Sequence, residues 1–135
     1  MVAQDVRFYV LILDDEVRAR ILNLLAKHEH LGVGVTSPDE LIGPLKREPG
    51  SIILIDCESV LTYGLTVISK LKASCPESKL ILFCSRTHRR IIKPVMELGA
   101  YGCIIEPYRE WEFLTMVRPI RSEQKIDKKT TQKKG

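Results

Sequence analysis

Two stretches decide the fold: VLILDDE at residues 10–16 and SIILIDCES at residues 51–59. Each is a short apolar run, rich in β-branched residues, that passes directly into acidic residues. A strand that stays apolar on successive residues has both faces buried, the habit of parallel sheets covered by helices on each side. Working outward, apolar runs at 8–13, 32–36, 52–55, 80–84 and 103–105 predict five strands.

The intervening segments have helical period. Val17, Ile21, Leu24, Leu25 and His28 share one face of a first helix, with His28 a cation suited to its C-terminal end. Ser37-Pro38-Asp39-Glu40 has the form of a capping box opening a second, which Gly43 and Pro44 should keep short or kinked. Leu61, Leu65, Ile68 and Leu71 predict a third helix. Ile91, Ile92, Val95 and Leu98 predict a fourth, ended by Gly99, with Pro94 forcing a kink or a late start. Residues 110–118 predict a fifth, stopped at Pro119. Strand and helix alternate five times with short connections, which dictates a parallel α/β sheet with right-handed crossovers and helices on both faces.

The chain has 135 residues, 44% of them hydrophobic and 28% charged. That is one domain, and it excludes a disordered chain, a collagen repeat and a disulfide-stapled miniprotein. No apolar run approaches the roughly 20 residues that cross a bilayer, so no membrane partner is expected. Residues 1–6 lack the basic start and long apolar run of a signal peptide, and a cytoplasmic location is expected. The net charge of +4 comes entirely from residues 119–135, with six basic and two acidic side chains, so 1–118 is neutral. We expect one folded unit at 1–118 and a basic flexible tail or linker at 119–135. Nucleic acid is disfavoured as a partner, because the excess charge lies off the folded part. Four cysteines without a CxxC pair read as reduced, buried thiols rather than disulfide or metal ligands.

Ligands of open α/β sheets bind beyond the carboxyl ends of the strands. Asp14 and Asp15 follow the first strand, Asp56 the third, Cys84 and Ser85 the fourth, and Glu106 the fifth. In a sheet of order 2-1-3-4-5 the first and third strands are neighbours, so Asp14, Asp15 and Asp56 should converge. Unit charges ~4 Å apart repel by about 4 kcal/mol at an effective dielectric near 20, so such a cluster takes up protons or holds a cation. Hard oxygen ligands favour Mg²⁺, beside which Asp56 would serve as a carboxylate nucleophile and form an acyl phosphate. The competing reading is that these acids simply cap the helices that follow.

On VLILDDE (10–16), SIILIDCES (51–59) with Gly64, and ELGAYGCIIEP (97–107), the chain resembles the receiver domain of two-component response regulators over residues 6–118. The resemblance implies a flavodoxin-like three-layer sandwich with five helices and a phosphorelay role. Asp56 would accept a phosphoryl group from a histidine kinase or phosphotransfer protein. Mg²⁺ would be held by Asp15 directly, Asp14 through water, Asp56, and the carbonyl of Glu58. The family's lysine falls at Glu106, its Thr or Ser at Cys84 with Ser85 adjacent, its aromatic switch at Cys103, and its usual proline at Val60. The metal-binding half of the site is kept and the signal-transmitting half replaced. The pattern therefore reads as an atypical receiver that accepts a phosphoryl group at Asp56 with Mg²⁺. The alternative is a phosphorylation-independent pseudo-receiver acting as an interaction scaffold.

Arg86, Lys93 or Arg109 would pair with Glu106 if it faces away from the pocket, and the cations His88, Arg89, Arg90 and Lys93 would otherwise stand in for the missing lysine. Trp111 reads as half-buried packing; the alternative is that, with Tyr108, Phe113 and Met116, it forms a docking patch for a downstream protein or a homodimer on the face of the fourth helix, fifth strand and fifth helix. An enzyme is disfavoured: Glu58 stands where an aspartate-nucleophile phosphatase keeps its general acid, but 118 residues leave no room for a cap domain or substrate pocket.

Overall fold

The computed structural model describes residues 7–120. Its strands are β1 (Arg7–Leu11), β2 (Leu31–Gly34), β3 (Ile52–Asp56), β4 (Lys79–Cys84) and β5 (Gly102–Ile105). All are parallel, in the order β2-β1-β3-β4-β5. The helices are α1 (Asp15–Lys27), α2 (Asp39–Arg47), α3 (Cys57–Tyr63), α4 (Thr66–Ser74), α5 (Ile92–Glu97) and α6 (110–120), with a 3₁₀ segment at Arg86–Ile91. This is the expected flavodoxin-like α/β sandwich, with six helices where five were expected.

Strand alternation divides the core in two. Tyr9, Leu11, Ile53, Ile55, Leu80, Leu82 and Cys84 face Leu41 and Leu45 of α2, Val60 of α3, Ile68 and Leu71 of α4, and Val95 of α5. Phe8, Val10, Ile12, Ile52, Leu54, Ile81, Phe83 and Ile104 face Ile21 and Leu25 of α1 and Phe113, Val117 and Ile120 of α6. The central strands β3 and β4 are buried almost throughout, as their unbroken apolar runs require, whereas edge strand β2 is exposed at all four residues.

Three local expectations are corrected. The third helix is two helices, because Gly64 at φ 87° and ψ 162° breaks it between α3 and α4. That conformation is essentially reserved for glycine. Gly64→Ala should therefore lower the unfolding free energy by about 1–3 kcal/mol, read as a drop in the urea midpoint at unchanged slope. The capping box at Ser37 does not form. Glu40 instead reaches Thr36, accepting from its backbone N–H at 3.3 Å and from its hydroxyl. As expected from Pro94, the preceding segment is a 3₁₀ turn and α5 starts late at Ile92, which places the proline in its first turn, where the missing N–H costs least.

Pro119 does not stop α6, which runs on to 120, where Ile120 is 0% exposed. Burying that side chain stabilises by about 1.5–3 kcal/mol, which offsets the ~3 kcal/mol of a proline in a helix. The packed unit thus extends past 118. The basic tail reading at 121–135 lies outside the described residues, as do residues 1–6.

Candidate functional site

The carboxyl ends of β1 and β3 are neighbours, with Leu11 opposite Ile55, so Asp14, Asp15 and Asp56 do lie at one end of the sheet. Their side chains take different partners. Asp56 is 3% exposed and is the N-cap of α3. Its Oδ1 accepts from the Ser59 N–H at 2.9 Å and the Ser59 hydroxyl at 2.6 Å. Its Oδ2 accepts from the backbone N–H groups of Leu13 at 3.2 Å and Asp14 at 3.4 Å. Ser59 also reaches the Leu11 carbonyl at 3.0 Å, in a second contact to the end of β1. Both oxygens of Asp56 are thus engaged by donors that join α3 to the turn after β1.

The local sequence explains this. Val60 occupies the position where the resemblance implies proline, so its N–H remains for the first turn of α3 and its side chain packs into the core. A helix that begins immediately after β3 needs an N-cap, and Asp56 with Ser59 three residues on supplies one. Asp14 caps α1 in the same way, accepting from the Val17 N–H at 3.0 Å. Asp15, with its side chain 88% exposed, pairs with Arg18 of the same helix, whose other nitrogen donates to the Ile12 carbonyl at 2.7 Å.

Three carboxylates are suitable chemistry for Mg²⁺, though their oxygens do not all lie within 4.8 Å of one another here. Among the described residues, the only group of three or more Asp, Glu, His or Cys ligand atoms within 4.8 Å of one another is Cys57, Glu58 and His88. Glu58 lies in the first turn of α3. Its exposed carboxylate faces His88 Nε2 at 3.4 Å.

The altered positions sit beside this network. The Glu106 carboxylate accepts from the Arg86 backbone N–H at 3.3 Å, and the Arg86 guanidinium donates to the Glu106 carbonyl at 3.1 Å. Glu106 therefore ties the end of β5 to the start of the 3₁₀ turn. Its contact with Arg86 is of the expected kind in residue but not in group, since the backbone amide and not the side chain meets the carboxylate. Ser85 pairs with Thr87 at 3.0 Å and donates its N–H to Cys57 Sγ at 3.5 Å. The Cys84 thiol donates to the carbonyls of Ser85 and His88 at 3.3 and 3.2 Å. Cys57, Cys75 and Cys84 are buried free thiols, as expected, and Cys103 is half-buried.

Burial, reinforced by the neighbouring Cys57 thiol, pushes Cys84 up to about 12 and Cys103 up to about 11. Once unfolded, both return to the ordinary thiol range near 9. Above that range the unfolded chain has lost protons that the folded chain keeps, so stability falls as pH rises and is fully present below it. Urea midpoints should drop from about pH 8 to about pH 10, and the drop should shrink in Cys84→Ala. An equal drop in wild type and variant would contradict this.

Trp111 is not half-buried but 61% exposed, while Phe113 is withdrawn into the core and Tyr108 packs edge-on to Phe83 at 5.3 Å. The exposed apolar residues around α5, β5 and α6 are Met96, Leu98, Tyr101 and Trp111. Arg89, Arg90 and Lys93 are exposed, and among the described residues none of them makes an ion pair to Glu106. At the far side of the sheet, His28 at 2.9 Å and Lys27 at 3.1 Å hold the Glu110 carboxyl below its usual range and join α1 to α6.

Sequence reasoning missed Ser59 and Arg18. Their signals were present as Asp-x-x-Ser at 56–59, an N-cap spacing, and Asp-x-x-Arg at 15–18, a helical ion-pair spacing.

No protein-family model matches the chain. It is 24% identical to the protein CcdB of Bacillus subtilis over 114 residues, 82% of this chain and 95% of that protein. It is 31% identical to the hydrogenase transcriptional regulatory protein HoxA of Cupriavidus necator over 111 residues, 81% of this chain but only 23% of HoxA. The crystal structure of a response regulator receiver domain protein from Clostridium thermocellum superposes with a TM-score of 0.76 at 14% identity, covering 90% of this chain and 98% of that one. The chain has the fold of response-regulator receiver domains. Among the described residues no helix is long and apolar enough to cross a membrane.

Proposed function

We propose that this chain is a receiver-type module of two-component signalling that works through protein–protein contact, with Asp56 serving as a structural cap rather than a phosphoryl acceptor. The observation that carries this reading is the engagement of Asp56: a buried carboxylate whose oxygens accept from the backbone N–H groups of Leu13, Asp14 and Ser59, with the Ser59 hydroxyl shared between it and the Leu11 carbonyl. An acyl phosphate forms only when a carboxylate lone pair lies in line with the incoming phosphorus. Here that requires giving up hydrogen bonds that join β1, β3 and α3. An acid at position 106 adds repulsion where the resemblance implies a cation. The contact surface is the face of α5, β5 and α6, with Met96, Leu98, Tyr101 and Trp111 exposed. Its occupant is a downstream protein or a second copy in a homodimer, and the chain catalyses no reaction of its own. The acceptor reading, with a histidine kinase or phosphotransfer protein as donor and Mg²⁺ as cofactor, is separated from this one by a single experiment. The chain is incubated with Mg²⁺ and acetyl phosphate and its intact mass is taken. We expect no adduct. A gain of one phosphoryl group that disappears in Asp56→Asn would restore the acceptor reading.

A further inference from the structure

The three ligand-type side chains that do gather start at Cys57, one residue beyond Asp56, and include one from the turn after β4. Cys57 Sγ, a Glu58 carboxylate oxygen and a His88 ring nitrogen all lie within 4.8 Å of one another. They come from two segments, the first turn of α3 and the 3₁₀ turn after β4. We propose that Cys57, Glu58 and His88 form a binding site for a borderline-soft divalent metal, with Zn²⁺ as the ion that fits.

The donor set is one sulfur, one imidazole nitrogen and one carboxylate oxygen. Mixed S/N/O sets suit Zn²⁺ and are poor for Mg²⁺ or Ca²⁺, which want oxygen alone. Tetrahedral zinc with bonds of about 2.0–2.3 Å sets its ligand atoms roughly 3.3–3.7 Å apart. The His88 to Glu58 separation of 3.4 Å is already such an edge. The sulfur closes the remaining distance by small side-chain movement, for which His88 and Glu58 are free because both side chains are partly exposed. The same exposure leaves an entry path and room for water as the fourth ligand. Cys57 is itself buried and already faces Ser85, so its sulfur is held at the floor of the site. Cys84 lies next to Cys57 but is not in the group whose ligand atoms all lie within 4.8 Å of one another, and its thiol donates toward the carbonyls of Ser85 and His88. On binding, Cys57 gives its proton to solvent and the thiolate bonds the ion, while Glu58 supplies the second negative charge. The bound metal would clamp the start of α3 to the 86–91 turn, whether or not Asp56 accepts a phosphoryl group.

The test uses the full chain, first freed of metal with a chelator, and Co²⁺ as a spectroscopic substitute for Zn²⁺. One equivalent of Co²⁺ should give a thiolate-to-metal charge-transfer band that Zn²⁺ then abolishes by displacement. The band should vanish in Cys57→Ser and persist in Cys84→Ser and Cys103→Ser. His88→Gln and Glu58→Gln change partly exposed side chains and leave the core intact. Each should weaken binding by roughly tenfold or more, comparable to losing a supporting group in known sites. No band in the wild-type chain, a band that survives Cys57→Ser, or full affinity in both His88→Gln and Glu58→Gln would overturn the proposal.

Discussion

Asp56→Ala should destabilise the domain by about 2–4 kcal/mol. The loss of an N-cap costs about 1 kcal/mol. The part-buried N–H of Leu13, left without an acceptor, adds about 1–3 kcal/mol. The sign is the informative part. If Asp14, Asp15 and Asp56 were three crowded carboxylates, removing one would relieve repulsion and raise stability. If Asp56 is the acceptor for four donors, removing it lowers stability. Equilibrium urea unfolding in Mg²⁺-free buffer reads that sign. Ser59→Ala should follow in the same direction with a smaller effect, since the Ser59 backbone N–H still reaches Oδ1.

Phe113→Ala should cost about 3–5 kcal/mol, the range for emptying a fully buried aromatic site. Phe113 is 1% exposed, and its ring lies 6.1 Å from both Phe8 of β1 and Phe83 of β4. It is the contact through which α6 spans from the second strand in the sheet to the fourth. Its loss leaves a cavity under α6 that Leu114 and Met116, already packed at the margin, fill only in part. The expected measurement is a large fall in the urea midpoint with α6 the first region to lose amide protection in hydrogen exchange. A change under 1 kcal/mol would mean that α6 is held by its termini instead.

The sheet was legible because burial on both faces leaves its mark directly in composition. The runs at 52–55 and 80–84 hold no charged residue, and both became central strands. The exposed edge strand β2 was shifted in register by one to two residues, since LGVG carries little pattern of its own. Helix boundaries failed where single residues decide them. Gly64 looked like a family landmark and proved to be a break, and Pro119 looked like a stop but is carried through by the burial of Ile120.

At the site, residue spacing placed Asp14, Asp15, Asp56 and Glu106 correctly at the strand ends. It could not say which way each side chain turns. That is set by competition for nearby backbone N–H groups, and the capping demand of α3 and α1 took Asp56 and Asp14, while Arg18 took Asp15. The reading that an acid after the first strand caps the helix that follows holds for Asp14 at α1. The Cys57, Glu58 and His88 cluster was not legible, because residues 57 and 88 are brought together only by the β3–β4 pairing.

The most direct measurement follows the backbone amide signals of Leu13, Asp14 and Ser59 by nuclear magnetic resonance. Mg²⁺ and beryllofluoride, a mimic of the acyl phosphate, are titrated into the full chain. With Asp56 committed to capping, those three signals should stay in place. Their displacement in wild type, and not in Asp56→Asn, would contradict that commitment.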